Sequence, residues 1–91
     1  MKLRIAAIVR EDLAGAVSKG GFSEVFVVKE KSEALAILER ITREKSFDLV
    51  LLDDTLAAEL GRGTLARLKH ENPFPAIIEM KTSRLKRVKL S

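Results

Sequence analysis

The feature that most constrains the fold of this chain is a run of consecutive apolar residues, Leu49 to Leu52, followed by two aspartates. A run without a polar residue on either face is typical of a strand buried on both faces of a parallel sheet. Asp53 and Asp54 then lead directly into a segment with helical spacing. The stretch therefore predicts an α/β fold in which a central strand ends beside acidic side chains.

Strand and helix patterns alternate along the rest of the chain. Apolar and β-branched runs predict strands at residues 3–9, 24–28, 49–52 and 76–80. Helical spacing predicts helices at about residues 12–18, from the N-cap Ser32 onward, at 55–60 and, after a break at 61–63, at 64–70. Short links between such elements imply right-handed crossovers and parallel strands.

These elements predict a four-stranded parallel sheet in the order 2-1-3-4, with helices on both faces, in a truncated flavodoxin-like or receiver-like topology. Residues 1–80 are expected to form a single α/β domain, and residues 81–91 a basic C-terminal tail. Residues 1–80 hold 12 Lys and Arg against 13 Asp and Glu, whereas residues 81–91 hold five cations and no acid. Since the body lacks a basic face, a nucleic-acid partner is not expected.

The residue types that many active sites need are scarce in this chain. There is no cysteine and a single histidine, His70, so thiolate metal sites and histidine-activated serines are not expected. The glycine clusters do not match a phosphate-binding loop. Neither a signal peptide nor a membrane-spanning run is expected, and a cytoplasmic setting fits best. The sequence therefore predicts no catalytic, cofactor-binding or metal-binding residues.

The acids that follow two of the predicted strands nevertheless have residue types that suit a chemical role. Glu11, Asp12, Asp53 and Asp54 follow the first and third strands, whose carboxyl ends border the ligand crevice of such sheets. Converging carboxylates of this kind bind Mg²⁺ and accept a phosphoryl group in receiver domains, so phosphorylation at Asp53 or Asp54 is the alternative function. A receiver also needs a lysine after a fifth strand, for which eleven residues leave no room. The favoured interpretation is that Asp54 or Thr55 caps the third helix.

The chain resembles a known family over roughly residues 2–82. The resemblance lies in GGFSEVFVVKEKSEALAILERI, in FDLVLLDDTLAAEL and in PFPAIIEMKT. These stretches are similar to the F subunit of the archaeal and bacterial A/V-type ATPase. Members of that family share a glycine before an EV-aromatic-VV strand, a helix containing EEA, an apolar third strand that enters a helix, and a fourth strand that begins with proline.

The resemblance implies a non-catalytic subunit of the central rotor stalk. Such a subunit docks on the long coiled-coil D subunit of the stalk, with the catalytic head as a second candidate partner. It supports ATP-driven transport of protons or sodium ions, or ATP synthesis, and it lies in the cytoplasm, peripheral to the membrane through the ATPase complex. A free-standing ligand-binding α/β domain is a further alternative, although the sequence marks no pocket for it.

The partner interface is expected where exposed apolar residues and cations coincide, at the end of the fourth strand and in the tail. The apolar contacts expected there are Met80, Leu85 and Val88, and the steering charges are Arg84, Lys86 and Arg87. Two other interpretations of the tail stay open at this point. One is a solvated terminus, and the other is weak attachment to anionic lipid or nucleic acid.

Overall fold

The computed structural model describes residues 3–17 and 21–82, in which four strands form one sheet. The strands are β1 (Ile5–Arg10), β2 (Glu24–Val28), β3 (Leu49–Asp53) and β4 (Ala76–Met80). The helices are α1 (Ala14–Val17), α2 (Lys31–Glu44), α3 (Asp54–Leu60) and α4 (Arg62–Glu71), and a 3-10 turn (Glu11–Leu13) leads into α1. No helix in the described ranges combines the length and apolarity that crossing a bilayer requires.

The sheet has the order β2-β1-β3-β4, and every neighbouring pair of strands is parallel. The predicted fold class and strand order are therefore confirmed. Leu51 of β3, for example, lies between Ala7 of β1 and Ile78 of β4. Because all four strands run the same way, their carboxyl ends meet at one edge of the sheet, where the 3-10 turn after β1 and helix α3 after β3 also begin.

Helices cover both faces of the sheet, and each face has its own apolar cluster. On one face, α2, α3 and α4 pack against a large cluster that includes Ile8, Leu38 and Leu52, all fully buried. On the other face, the 3-10 turn and α1 contribute Leu13 and Val17 to a smaller cluster. Burying an aliphatic side chain of this size contributes about 1.5–3 kcal/mol, so the larger cluster provides most of the apolar stabilisation.

Helix α2 shows how the sequence pattern produces the larger cluster. Ala34, Leu38 and Ile41 recur at helical spacing on one side of α2, and all three are buried. The helix ends at Lys45, which has a positive φ of 52° and donates its backbone N–H to the Ile41 carbonyl at 2.8 Å. A left-handed residue at this position closes the last turn of the helix.

Two predicted helix boundaries are wrong. Ser32 does not cap α2, because the helix begins at Lys31 and the N-cap position is Glu30, whose carboxylate accepts from the Ser32 hydroxyl at 3.1 Å. The predicted break at residues 61–63 is confined to Gly61, and α4 begins at Arg62. With a φ of 90°, the glycine alone turns the chain between α3 and α4.

Strand β3 is less buried than its sequence predicts. Val50 and Leu52, which face α2 and α3, are fully buried, whereas Leu49 and Leu51 on the other face are half-buried. The prediction of burial on both faces is therefore wrong for the α1 side. The reason is the small size of α1, whose main contacts are with β1 and β2.

Candidate functional site

The crevice at the carboxyl edge of the sheet contains Asp53, which is fully buried. Its Oδ1 accepts hydrogen bonds from the Thr55 backbone N–H at 2.9 Å and from the Thr55 hydroxyl at 2.8 Å. Its Oδ2 accepts from the Arg10 backbone N–H at 3.3 Å. Asp53 is therefore the N-cap of α3, and the prediction that Asp54 or Thr55 caps this helix is wrong by one or two positions. The last residue of β3 serves as the cap because the helix begins without a connecting loop.

Arg10 links three structural elements across the same crevice. Its Nε donates to the Thr55 hydroxyl at 3.3 Å, and one terminal nitrogen donates to the Lys29 carbonyl at 3.4 Å. The other terminal nitrogen forms an ion pair with Glu59 of α3. The guanidinium thus joins the end of β1 to the loop after β2 and to α3. A cation in this position balances the negative charge that the sequence concentrates at this edge.

Among the acidic residues predicted to converge here, Asp54 and Glu11 are held in contacts separate from those of Asp53. Asp54 accepts from the hydroxyl of Thr82 at 2.7 Å, and Thr82 is itself buried. Glu11 forms an ion pair with Lys29 at 3.9 Å between exposed side chains. Within residues 3–17 and 21–82, no group of three or more His, Asp or Glu side chains is placed to hold a metal ion. The crevice is accordingly arranged as a set of structural links between elements.

A second charged contact lies at the opposite, amino-terminal edge of the sheet. Arg4 donates its backbone N–H to the Asp48 carboxylate at 2.8 Å, and its Nε lies 3.6 Å from the same oxygen. The backbone donor in particular, helped by the guanidinium, holds the pKa of Asp48 below its usual value. This pair fixes the start of β3 beside the residue that precedes β1.

A cleft of about 410 Å³ lies between α2 and α4. Its walls carry charges of both signs, including Glu39 and Arg43 of α2 and the ion-paired Arg67 and Glu71 of α4. Sites for small organic molecules are mostly apolar with a few convergent polar groups. The composition of this cleft therefore gives no support to the free-standing ligand-binding domain.

The structure describes only one of the six residues predicted to form the partner interface. Met80 is half-buried and packs partly against the cluster of Val9, Leu13 and Val17 on the α1 side of the sheet. The other five predicted residues lie outside the described residues; they are Arg84, Leu85, Lys86, Arg87 and Val88. The hydrogen bond from Thr82 to Asp54 fixes the point from which that segment departs.

Two features were not anticipated from the sequence. The first is the bridging role of Arg10, for which the only signal is its position directly after an apolar strand. The second is an incompletely covered part of the sheet on the α1 side, which we term the open sheet face. Its members are Ile5, Leu49, Leu51, Ala76 and Ile78. The sequence feature that could have predicted this face is the short connection between β1 and β2, because it limits the area that α1 covers.

Comparison with known proteins identifies a family for this chain. The model of the family described as ATP synthase (F/14-kDa) subunit matches residues 5–89 of the chain. The match begins at the first residue of β1 and includes all four strands of the sheet. A search among curated proteins found no match.

Proposed function

Because the chain belongs to the ATP synthase F/14-kDa family, the F-subunit family of A/V-type ATPases, we propose that it is a non-catalytic component of the central rotor stalk. In this role it docks on the long coiled-coil D subunit, with the catalytic head as a second partner. It supports ATP-driven transport of protons or sodium ions, or ATP synthesis. Its location is then cytoplasmic and peripheral to the membrane, through the ATPase complex.

The observation that carries this proposal is the family match over residues 5–89. The arrangement of the carboxyl edge of the sheet supports it. At the position where α/β folds usually bind ligands, Asp53 caps a helix and Arg10 joins three elements. Such contacts suit a rigid body that transmits force through an interface, because they fix the loops in place.

We place part of the interface at the end of β4 and in residues 81–91. Met80, Leu85 and Val88 supply apolar contacts, and Arg84, Lys86 and Arg87 supply steering charges. The charge distribution supports this placement, since five cations and no acid fall within residues 81–91. Charges of one sign beside apolar side chains raise the rate of encounter with an acidic partner surface.

Co-expression of the tagged chain with the D subunit tests the proposal. We expect the two proteins to elute together from a size-exclusion column. A variant that lacks residues 83–91 keeps the Thr82–Asp54 hydrogen bond, and it should bind the D subunit at least about tenfold more weakly, a loss of roughly 1.4 kcal/mol. Undiminished binding by this variant would remove the tail from the interface. Failure of the full chain to bind the D subunit would contradict the proposed function.

The non-catalytic part of the proposal has its own test. Incubation of the purified chain with acetyl phosphate and Mg²⁺ should leave it unmodified, as judged by intact-protein mass. A Mg²⁺-dependent gain of one phosphoryl group that disappears in Asp53→Asn or Asp54→Asn would instead establish the receiver-like alternative.

A further inference from the structure

The open sheet face is an apolar surface that the helices of this chain leave incompletely covered. Across the sheet, Ile5, Leu49 and Ala76 lie side by side in register, and Leu51 lies beside Ile78 in the next row. Paired residues of parallel strands point to the same side of the sheet, so these five side chains share one face. None of them belongs to either buried apolar cluster.

The exposure of this face increases toward the outer strand β4. Ile5, Leu49 and Leu51 are half-buried, Ala76 is exposed, and 50% of the Ile78 surface is accessible to solvent. On the opposite face of β4, Ile77 is buried against the helices. A contiguous apolar patch on a sheet of this size is a candidate interaction surface.

The shape of the uncovered area matches a single helix. A helix with its side chains is about 10–12 Å wide, and neighbouring strands are about 4.8 Å apart, so one helix covers roughly two strands. The main contacts of helix α1 are with β1 and β2, and Met80 at the end of β4 packs on the same side, so the uncovered strip is two strands wide and consists of β3 and of β4 up to Met80. Because α1 projects from the sheet beside this strip, a second flat sheet would be kept away, whereas a helix fits alongside α1.

The sequence of the strip and of the segment that follows it indicates the chemistry of the helix that fits the strip. The five side chains of the open sheet face are all apolar, so the contacting side of that helix must be apolar too. The strip ends at Met80, after which the chain carries five cations within residues 81–91. Acidic residues flanking the apolar stripe would complement these cations.

From these observations we infer that the open sheet face docks one amphipathic helix of a partner protein, with an apolar stripe at i, i+3/i+4 and i+7 flanked by acids. This inference rests on the proposed function, which supplies the coiled-coil D subunit as the protein that carries the helix. It adds an apolar surface on β3 and β4 to the apolar contacts proposed for Met80 and the tail, whose cations attract the partner.

The chain contains no cysteine, which permits a test with single introduced thiols. Ile78→Cys places a thiol on the open sheet face, and Glu79→Cys places one on the opposite face of the same strand, where Glu79 is exposed. The rate of maleimide labelling is measured for each variant, alone and in the complex with the D subunit isolated by size exclusion. We expect binding to slow labelling at position 78 at least tenfold and to change labelling at position 79 less than twofold.

Each of the other outcomes contradicts the inference and identifies a different explanation. If the complex forms and position 78 reacts as fast as in the free chain, the helix docks elsewhere and the proposed function stands. Slow labelling of position 78 in the isolated chain indicates a second copy if it depends on protein concentration, and residues 83–91 if it does not. Equal slowing at positions 78 and 79 indicates that the partner covers the edge of β4. Failure of both variants and of the unmodified chain to bind the D subunit contradicts the proposed function itself.

Discussion

At the scale of single residues, Asp53 is the side chain on which the turn from β3 into α3 depends. Asp53→Ala removes the acceptor for the Thr55 N–H and for the Arg10 N–H, so it should lower the free energy of unfolding by about 2 kcal/mol. Asp53→Asn retains an acceptor oxygen and should lose less than half as much. Urea denaturation of both variants measures the difference. Equal losses would show that the charge, rather than the cap, is what stabilises this turn.

Asp48 gives the protein a pH dependence whose sign follows from its hydrogen bonds. Because the pKa of Asp48 is lower in the folded chain, its carboxylate adds stability above the unfolded value of about 3.9. That contribution is lost as the pH falls through the folded pKa. Asp48→Asn should therefore flatten the acid side of the stability curve, measured by urea denaturation between about pH 2 and pH 6.

Arg4→Leu is the matched control for Asp48, because it removes the guanidinium and keeps the backbone N–H that donates to the carboxylate. Since the backbone donor is the main cause of the lowered pKa, this variant should keep most of the acid-side dependence. If Arg4→Leu flattens the curve as fully as Asp48→Asn does, the ion pair and not the backbone hydrogen bond controls this titration.

At the scale of elements, β3 presents two faces whose packing differs. Leu52 is fully buried among α2 and α3, so Leu52→Ala should cost about 2–5 kcal/mol in the free energy of unfolding. The adjacent Leu51 is half-buried on the open sheet face, so Leu51→Ala should cost about 1 kcal/mol or less in the isolated chain. Chemical denaturation of the two variants tests this contrast. A loss at Leu51 as large as at Leu52 would mean that the open sheet face is already covered.

Much of the element pattern was predictable because local chemistry determines it. The bounds of β2 and β4 match the predicted residues, since β-branched and aromatic runs between turn residues leave few alternatives. The start of α2 was less predictable. Ser32 is a residue type that often caps helices, but α2 begins one residue earlier, at Lys31, and Glu30 has the extended backbone of the N-cap residue. Similarly, a run such as Leu49 to Leu52 does not reveal how far a neighbouring helix extends over it, because that depends on tertiary packing.

For the acids after β1 and β3, the sequence predicted their location in the fold better than their contacts. The acids after β1 and β3 do lie at the carboxyl edge, as the parallel topology requires. Two of them have partners from distant parts of the chain, because Asp53 accepts from the Arg10 backbone N–H and Asp54 accepts from the Thr82 hydroxyl. Contacts between residues so far apart along the chain leave no periodic signal in a single sequence, so the favoured helix cap was predicted to within one or two positions and the long-range links were not predicted.

At the scale of the whole molecule, the proposed function gives different roles in association to residues 1–80 and to the basic segment that follows them. The body through residue 80 carries 12 cations and 13 acids, so its own long-range field is weak, whereas residues 81–91 carry five cations. Under the proposed function, the basic segment accelerates encounter with the D subunit, and the open sheet face determines how slowly the complex dissociates. The two contributions are separable because charge acts mainly on association rates and apolar burial on dissociation rates.

Neutralising the tail cations tests that division. The variant Arg84→Gln/Lys86→Gln/Arg87→Gln should bind the D subunit about tenfold more slowly at low ionic strength, with a dissociation rate changed less than about twofold. The matched control, Arg43→Gln/Arg62→Gln/Lys69→Gln, removes the same charge from exposed positions on α2 and α4. Surface plasmon resonance at several salt concentrations should show a reduced salt dependence for the tail variant alone, since screening acts on the charges that steer the encounter. An equal reduction in both variants would mean that net charge, and not its position after β4, governs association.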